Sequence, residues 1–188
     1  MTFETLLSIF LGIGLAASVG FRVFVPLFAL SLAAYFNVWE LNSNWEWIGS
    51  ASALITLGVA TVFEIFAYYL PYLDNLLDSV AIPLAAIAGT AVMVSTVADL
   101  SPVFTWALAI IAGGGTAAAI AGTTGATRLA STATTGGIGN SVVATLETGT
   151  SVMMSIISLF IPVLAILFVV LILFVIHKLY KKFRRNKA

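Results

Sequence analysis

Six charged residues lie within or at the ends of long apolar runs. Because an ion in a bilayer costs at least about a few kcal/mol, each needs a partner or water. In one interpretation, the arginines attract an anionic group and the carboxylates bind a proton or a cation. In another, arginine–carboxylate pairs lock helices together, and in a third the charges face the membrane interface. The six residues are Arg22, Glu64, Asp74, Asp78, Arg128 and Glu147.

A second candidate is the polar stretch Thr123–Thr150, a run of Gly, Ser and Thr between apolar segments. Irregular backbone at membrane depth is tolerated only where protein buries it or where it lines a wet cavity. Hydroxyls and backbone N–H groups of a Gly-containing turn bind anions, so Thr134, Thr135 and Asn140 join the candidate ligands. An ordinary extramembrane loop is the alternative. We expect a re-entrant segment, because Ser141–Ala144 resumes an apolar pattern at once.

Catalytic chemistry has little support in the composition, and we predict that the protein is not an enzyme. The chain has no cysteine, and its one histidine, His177, precedes Lys178 at the start of a basic tail. One histidine without cysteine cannot assemble a His-rich metal site or a Ser-His dyad near the polar stretch. We therefore expect no catalytic residue, no metal and no cofactor. The enzymatic alternative is an aspartate-only hydrolase that acts on lipid phosphate.

Membrane helices must position these residues. The 188-residue chain is 61% hydrophobic and 9% charged, whereas soluble domains are about 25% charged. Uncharged runs such as Ser79–Ala98 and Val103–Thr127 approach or exceed the roughly 20 residues that cross a bilayer. We predict an all-α, polytopic transmembrane helical bundle of about five spans with broken or re-entrant helices. It forms a single membrane domain over residues 1–188.

The first apolar segment, Thr5–Trp39, is interrupted only by Arg22. A straight helix of that length would span about 50 Å, against a hydrocarbon core of about 30 Å. We therefore expect a break at Gly20 or Pro26, with Arg22 paired to a carboxylate, either Glu64 or Glu147. A single crossing by this segment gives about five crossings in total, and a hairpin gives about six. The sequence VWELNSNWEW that follows predicts an interfacial loop or short helix.

An internal repeat appears at an offset of 101 residues. Residues 3–17 match 104–118 at seven of fifteen positions, which defines candidate halves 3–101 and 104–176. With a single first crossing the copies face opposite ways, and inverted repeats with broken helices are typical of secondary transporters. With a hairpin, the copies are parallel. The repeated glycines also fit close helix packing without any transport role.

The C-terminal tail, 177–188, carries six of the eight Lys and Arg residues. The positive-inside rule therefore predicts a cytoplasmic C-terminus. We expect the tail to contact anionic lipid of the bilayer rather than nucleic acid. In the five-span arrangement, the last span runs from about Ser151 into this tail with a kink at Pro162. Asp74, Asp78, Arg128 and Glu147 then lie on the non-cytoplasmic side.

Three segments carry a family resemblance: Gly14–Pro26 (GLAASVGFRVFVP), Glu64–Asp78 (EIFAYYLPYLDNLLD) and Ser131–Asn140 (STATTGGIGN). With them the chain resembles a bacterial membrane family catalogued as domain of unknown function 4126, over nearly its whole length. The resemblance implies a multi-pass protein of the bacterial inner (cell) membrane. It brings no assigned activity.

We expect a compact transporter or channel-like protein for a small polar or charged solute. Broken helices around Arg22 and 123–140 would form the site, with Glu64, Asp74 or Asp78 as the proton or cation partner. A homo-oligomer is expected, because so small a bundle seldom encloses a pathway alone. The alternative is a non-transporting membrane component that binds lipid headgroups or a partner complex.

Overall fold

The computed structural model describes residues 2–98 and 100–185, and every regular element within them is helical. The predicted all-α class is confirmed. Residues 186–188 of the predicted basic tail lie outside the described residues. The elements are α1 (Phe3–Val19), α2 (Phe24–Tyr35), a 3-10 helix (Ser43–Gly49), α3 (Ala51–Ala67), α4 (Pro71–Thr96), α5 (Pro102–Leu108), a π turn (Ala109–Gly114), α6 (Gly115–Thr135), α7 (Asn140–Phe160) and α8 (Pro162–Arg185).

The first segment is a hairpin of α1 and α2 rather than a single crossing helix. Ser8 in α1 accepts a hydrogen bond from the backbone N–H of Ala98 (3.1 Å), and the N–H of Asn42, beyond α2, donates to the carbonyl oxygen of Ser95 (2.9 Å). Both ends of the hairpin therefore lie beside the C-terminal end of α4. We call this the tryptophan end, after the Trp-rich 3-10 helix there. The hairpin tip, Gly20–Val23, lies at the other end, the tip end.

The hairpin breaks where α1 contacts α6. α1 ends at Val19, and Gly20 lies so close to α6 that an added Cβ would be 2.8 Å from the carbonyl oxygen of Ala117. The chain therefore breaks at Gly20, one of the two predicted positions. Pro26 does not break a helix. It lies in the first turn of α2, where a missing N–H costs no intrahelical hydrogen bond.

α1 is the central helix of the bundle, since it packs against α4, α6, α7 and α8. Its Leu11, Leu15 and Val19 side chains belong to the main apolar cluster and are at most 1% exposed. Gly14 contacts Ser158 of α7 and Ala165 of α8 on another face. The hairpin tip is therefore enclosed by helices on several sides.

The polar stretch Thr123–Thr150 is helical for most of its length, and the predicted re-entrant loop is not found. α6 covers its first half, a four-residue turn follows, and α7 begins at Asn140. In the turn, Gly136 and Gly137 have positive φ angles of 65° and 91°, which glycine adopts without a steric penalty. Threonine hydroxyls in these helices donate to carbonyls four residues earlier, so they are satisfied without water.

Three helical segments are long and apolar enough to cross a bilayer: 72–96, 102–135 and 140–160. The 3-10 helix and α3, bent by 64° relative to each other, form a fourth candidate, and α1, α2 and the first part of α8 are shorter apolar helices. The chain is therefore a multi-pass membrane protein. The predicted number of about five spans is only approximate.

α8 runs back along the bundle instead of continuing α7 through a kink at Pro162. The residue that ends α7 has non-helical angles (φ −139°, ψ 67°), and Pro162 begins α8. α8 then follows α1 towards the tip end, with Ala165 beside Gly14 and Val169 in one apolar cluster with Ala17. The C-terminal end of α8 therefore lies at the tip end.

This reversal corrects the predicted placement of the charged residues. The five-span interpretation put Asp74, Asp78, Arg128 and Glu147 on the side of the membrane opposite to the basic tail. In the structure all four lie at the tip end, the same end at which α8 terminates. The interpretation failed because it took α7 and α8 as parts of one kinked span.

The two repeat segments run in the same direction, as the hairpin alternative predicts. Gly12 of α1 and Gly113 of the π turn both face Met93 of α4, and further along Gly20 packs against Ile120. α1 and α6 are therefore parallel neighbours, and an inverted arrangement does not describe them. The matched glycines are explained by close packing on α4.

We expect Gly113→Ala to destabilise the protein, because a Cβ there would lie 2.6 Å from the carbonyl oxygen of Gly89 in α4. The two backbones would have to separate, at a cost of about 1–3 kcal/mol. Gly149→Ala is the matched control, since its Cβ would have nothing within 4 Å. Thermal unfolding in detergent should give a lower Tm for Gly113→Ala alone. Equal Tm values for the two variants would contradict this packing.

We expect single cysteines at Asn44 and Ile138 to be labelled from opposite sides of the membrane. Asn44 lies in the 3-10 helix at the tryptophan end, and Ile138 lies in the α6–α7 turn at the tip end. The native chain has no cysteine, so each variant carries one thiol. A membrane-impermeant maleimide, applied before and after permeabilisation, gives the measurement. Labelling of both sites from the same side would refute the arrangement.

Candidate ion-binding network at the hairpin tip

Arg22 lies at the tip of the hairpin, and only 1% of its surface is exposed. Its guanidinium donates to the carboxylate of Glu147 (2.9 Å) and to the hydroxyl of Thr148 (3.0 Å). It also donates to the carbonyl oxygens of Ala144 (2.9 Å) and Phe21 (3.1 Å). Of its two predicted partners, Arg22 therefore pairs with Glu147, and this pair joins the hairpin to α7.

Glu147 connects the two arginines. Its carboxylate accepts from Nη2 of Arg128 as well as from Arg22, and its Oε1 accepts from Nε of Arg128 (3.2 Å). Nη1 of Arg128 also contacts Asp74 (2.5 Å) and Asp78 (3.3 Å) in α4. The arginine–carboxylate pairs thus form one connected network across α4, α6, α7 and the tip. Asp78 is its most accessible member, with 23% of the side chain exposed.

Tyr68, directly after α3, contacts both guanidinium groups. The Cζ atom of Arg22 lies 3.9 Å from the centre of the Tyr68 ring, and that of Arg128 lies 4.0 Å from it. A cation over an aromatic ring is a favourable electrostatic contact that strengthens when water is excluded. The ring therefore stabilises two like charges in a buried site.

Glu64 binds the backbone of the tip instead of a guanidinium. Its two carboxylate oxygens accept from the N–H groups of Val23 (2.7 Å) and Phe24 (2.9 Å), at the start of α2. The first N–H groups of a helix have no intrahelical partner and carry partial positive charge. A side chain of α3 therefore caps the second helix of the hairpin, and no pair between Glu64 and Arg22 is formed.

The network contains more acidic than basic groups. If every member is ionised, two guanidiniums face four carboxylates, and all of these except Asp78 are buried. The start of α2 offsets part of the Glu64 charge, since a helix N-terminus acts as roughly half a positive charge. The remaining excess is negative. A buried negative excess is stabilised by a proton or by a cation. The members are Arg22, Glu64, Tyr68, Asp74, Asp78, Arg128 and Glu147.

Asn140 extends the network to the first turn of α7. Its Nδ2 donates to Asp74 (3.0 Å) and to Thr132 of α6 (3.0 Å). Asn140 is 8% exposed, and its Oδ1 has no hydrogen-bond partner. Asn140, Asp74 and Thr132 line a cleft of about 90 Å³ beside the α6–α7 turn. Of the three candidate ligands Thr134, Thr135 and Asn140, Asn140 is the one that contacts the network.

Thr134 and Thr135 are not part of this site. Both are exposed, and their hydroxyls donate to the carbonyl oxygens of Ala130 (2.9 Å) and Ser131 (2.8 Å) in their own helix. Thr135 also accepts from the N–H of Gly139 (2.9 Å), which closes the α6–α7 turn. The free hydroxyls that the sequence suggested for anion binding are thus occupied by helix and turn formation.

Two polar groups near the network were not anticipated from the sequence. Tyr68 is not among the predicted site residues, although an aromatic residue four positions after Glu64 would lie on the same helix face as that carboxylate. Ser18 of α1 donates to Ser151 of α7 and contacts Ser155 (2.7 and 2.8 Å), and all three are at most 1% exposed. These serines fix α1 against α7 directly below the Arg22–Glu147 pair.

Open space around the network is small. A void of about 10 Å³, near the size that one water needs, is lined by Glu64, Tyr68, Asp78 and Arg128. The cleft beside Asn140 is larger, at about 90 Å³. The structure therefore shows a closely packed network that leaves little room for enclosed water.

We expect Glu147→Gln to lower stability strongly, because it removes the carboxylate that binds both buried guanidiniums. Breaking a buried pair by removing one partner costs about 3–5 kcal/mol. Glu46→Gln, on an exposed residue at the tryptophan end, is the matched control and should be nearly neutral. Thermal unfolding in detergent measures both. A Glu147→Gln protein as stable as wild type would show that the network does not hold the tip.

The sequence was compared with protein families, curated proteins and solved structures. The model of one family, described as "Domain of unknown function (DUF4126)", matches residues 9–182. No curated protein and no solved structure matches. The matched region contains every member of the network, the α6–α7 turn and nearly all of the helical bundle. The chain therefore belongs to the DUF4126 family.

Proposed function

We propose that the protein is a small transporter or channel-like protein for a small polar or charged solute, with the network as its site. The observation that carries the proposal is the excess of buried carboxylates at a break between membrane helices. Ionisable groups inside a membrane protein are costly and are typical of substrate and ion pathways. Discontinuous helices near such groups are likewise typical of transporters.

In this proposal the members of the network have distinct roles. Arg22 and Arg128 would attract an anionic group of the solute, and the carboxylates would exchange a proton or a cation. Asp78 is suited to be the first group to exchange, because it is partly exposed and its contact with Arg128, at 3.3 Å, is the longest of the ion pairs. A ligand that binds better when Arg128 is released would shift the network towards an open arrangement.

The second candidate is a non-transporting membrane component that binds lipid headgroups or a partner complex. Closed packing at the tip favours it, since both guanidiniums already have protein partners. Two wide clefts at the tryptophan end, of about 370 and 430 Å³, also favour it. Trp39 and Glu46 line one cleft, and Trp45 and Trp106 line the other. Indoles with polar neighbours suit the headgroup layer.

The proposal includes a location and an assembly. The basic end of α8 supports a cytoplasmic C-terminus in the bacterial inner membrane, which would place the network near the cytoplasmic side. Large apolar side chains of α3, including Ile55, Val62 and Phe63, are exposed. They would face lipid or a second copy of the chain in a homo-oligomer. No catalytic step, cofactor or nucleic acid enters the proposal.

We expect purified protein in proteoliposomes to move protons or ²²Na⁺, and Asp78→Asn to slow that movement about tenfold or more. Asp78→Asn removes one carboxylate at its most accessible and least tightly bonded position, so the fold should survive. Pyranine fluorescence under a valinomycin-imposed potential reports protons, and filtration reports ²²Na⁺. The control variant Glu46→Gln should move the same ion as wild type, at the wild-type rate.

The same vesicles test the second candidate. Vesicles that move neither ion, nor any of a panel of labelled amino acids, sugars and organic anions, would favour the non-transporting component. Arg22→Ala and Arg128→Ala should then lower only Tm. Equal ion movement by wild type and Asp78→Asn would show that the pathway does not use the network.

A further inference from the structure

One buried acceptor is left unused by the network. Oδ1 of Asn140 has no hydrogen-bond partner, although only 8% of the Asn140 surface is exposed. A buried amide oxygen without a donor has lost its hydrogen bonds to water and gained none in return, which is unfavourable. Such an atom calls for a donor or a positive ion.

The orientation of the Asn140 amide is determined by its neighbours. Its Nδ2 faces a carboxylate oxygen of Asp74 at 3.0 Å. The flipped amide would place Oδ1 against that carboxylate, and two acceptors at this distance would repel each other. Oδ1 therefore points away from Asp74, and its lack of a partner does not result from a wrongly assigned amide.

The surroundings of Asn140 are rich in oxygen and poor in positive charge. The cleft of about 90 Å³ is lined by Asp74, by the hydroxyl-bearing residues Thr132 and Ser141, and by the Gly136–Gly137 turn. This volume is well above the roughly 10–15 Å³ that a single water needs, so the cleft has room for a hydrated ion. The network behind it has the carboxylate excess described above. These features disfavour an anion at this position.

The ligand set suits a monovalent ion better than a divalent one. Among residues 2–98 and 100–185, no group of three or more His, Cys, Asp or Glu side chains is placed to hold a metal. One carboxylate that already contacts Arg128, together with neutral amide and hydroxyl oxygens, supplies little negative charge. Mg²⁺ and Ca²⁺ bind mainly through several carboxylates or carbonyls.

We propose that the cleft between the start of α4 and the α6–α7 turn binds an alkali-metal cation. Oδ1 of Asn140 is the ligand that the structure leaves free. The carboxylate of Asp74 and the hydroxyl of Thr132 orient the amide through its Nδ2 group, and the nearby Asp74 charge offsets part of the charge of the ion. Since Oδ1 is enclosed, the ion enters when the glycine turn at 136–139 moves. In a transporting protein this cation would be the coupling ion, and that role alone rests on the proposed function. Binding is testable without transport.

Purified protein in detergent is unfolded thermally in NaCl, KCl or choline chloride at equal concentration, with tryptophan fluorescence as the readout. Na⁺ or K⁺ at ten times its Kd should raise Tm by about 3–6 °C relative to choline. Asn140→Ala should lose this increase. Asn44→Ala should retain it, because Asn44 is exposed and lies at the tryptophan end, away from the cleft.

Thr132→Val provides a second variant if Asn140→Ala does not fold. It removes one of the two acceptors that orient the Asn140 amide, so it should raise the Kd of the cation about tenfold. Equal Tm values of wild type in all three salts would overturn the proposal, as would a full increase in Asn140→Ala. The two inferences fail separately. A Tm that depends on the cation, without ion flux in vesicles, would support the cation site and contradict transport. Ion flux without a cation-dependent Tm would contradict only the cation site.

Discussion

The structure depends on keeping the Arg22 guanidinium buried at a break between two apolar helices. A charge in this position is costly unless each donor has a partner. Arg22 meets the requirement by binding α7 through Glu147, Thr148 and a backbone carbonyl. Glu147 in turn needs Arg128, and Arg128 needs the aspartates of α4. One buried ion thereby determines how four elements meet at the tip end.

Close packing of small residues makes these contacts possible. Glycines on α1, on α4 and in the π turn before α6 leave no room for a Cβ, so three backbones approach closely around Met93. Only then do the side chains at the tip reach one another across three helices. The packing function of the glycines and the polar function of the network are therefore linked, and the repeated glycine pattern reflects the first of them.

Much of this could be predicted from the sequence. Hydropathy indicated a multi-pass helical bundle, and the cost of buried charge singled out the charged residues that meet at the tip. A break at Gly20 or Pro26 followed from segment length, and the chain breaks at Gly20. The direction of each helix could not be predicted. The basic tail sets the orientation in the membrane, and the chain reversal at Pro162 changes the side of every preceding group relative to that tail. The Ser/Thr stretch was misread because its hydroxyls can bond to their own helix as readily as to a ligand.

Stabilisation of the helix contacts alone is a weak explanation for the network. Well-packed apolar side chains often stabilise a fold as well as a buried ion pair does, and two arginine–carboxylate pairs would neutralise the tip with two acids. The chain instead carries four, and one of them, Glu64, binds the backbone of the tip from a third direction. The bonds that cross from the tip to neighbouring helices in this network run through ionisable side chains. Their state of charge therefore affects how firmly the hairpin tip is held, as the site that we propose for an ion or solute would require.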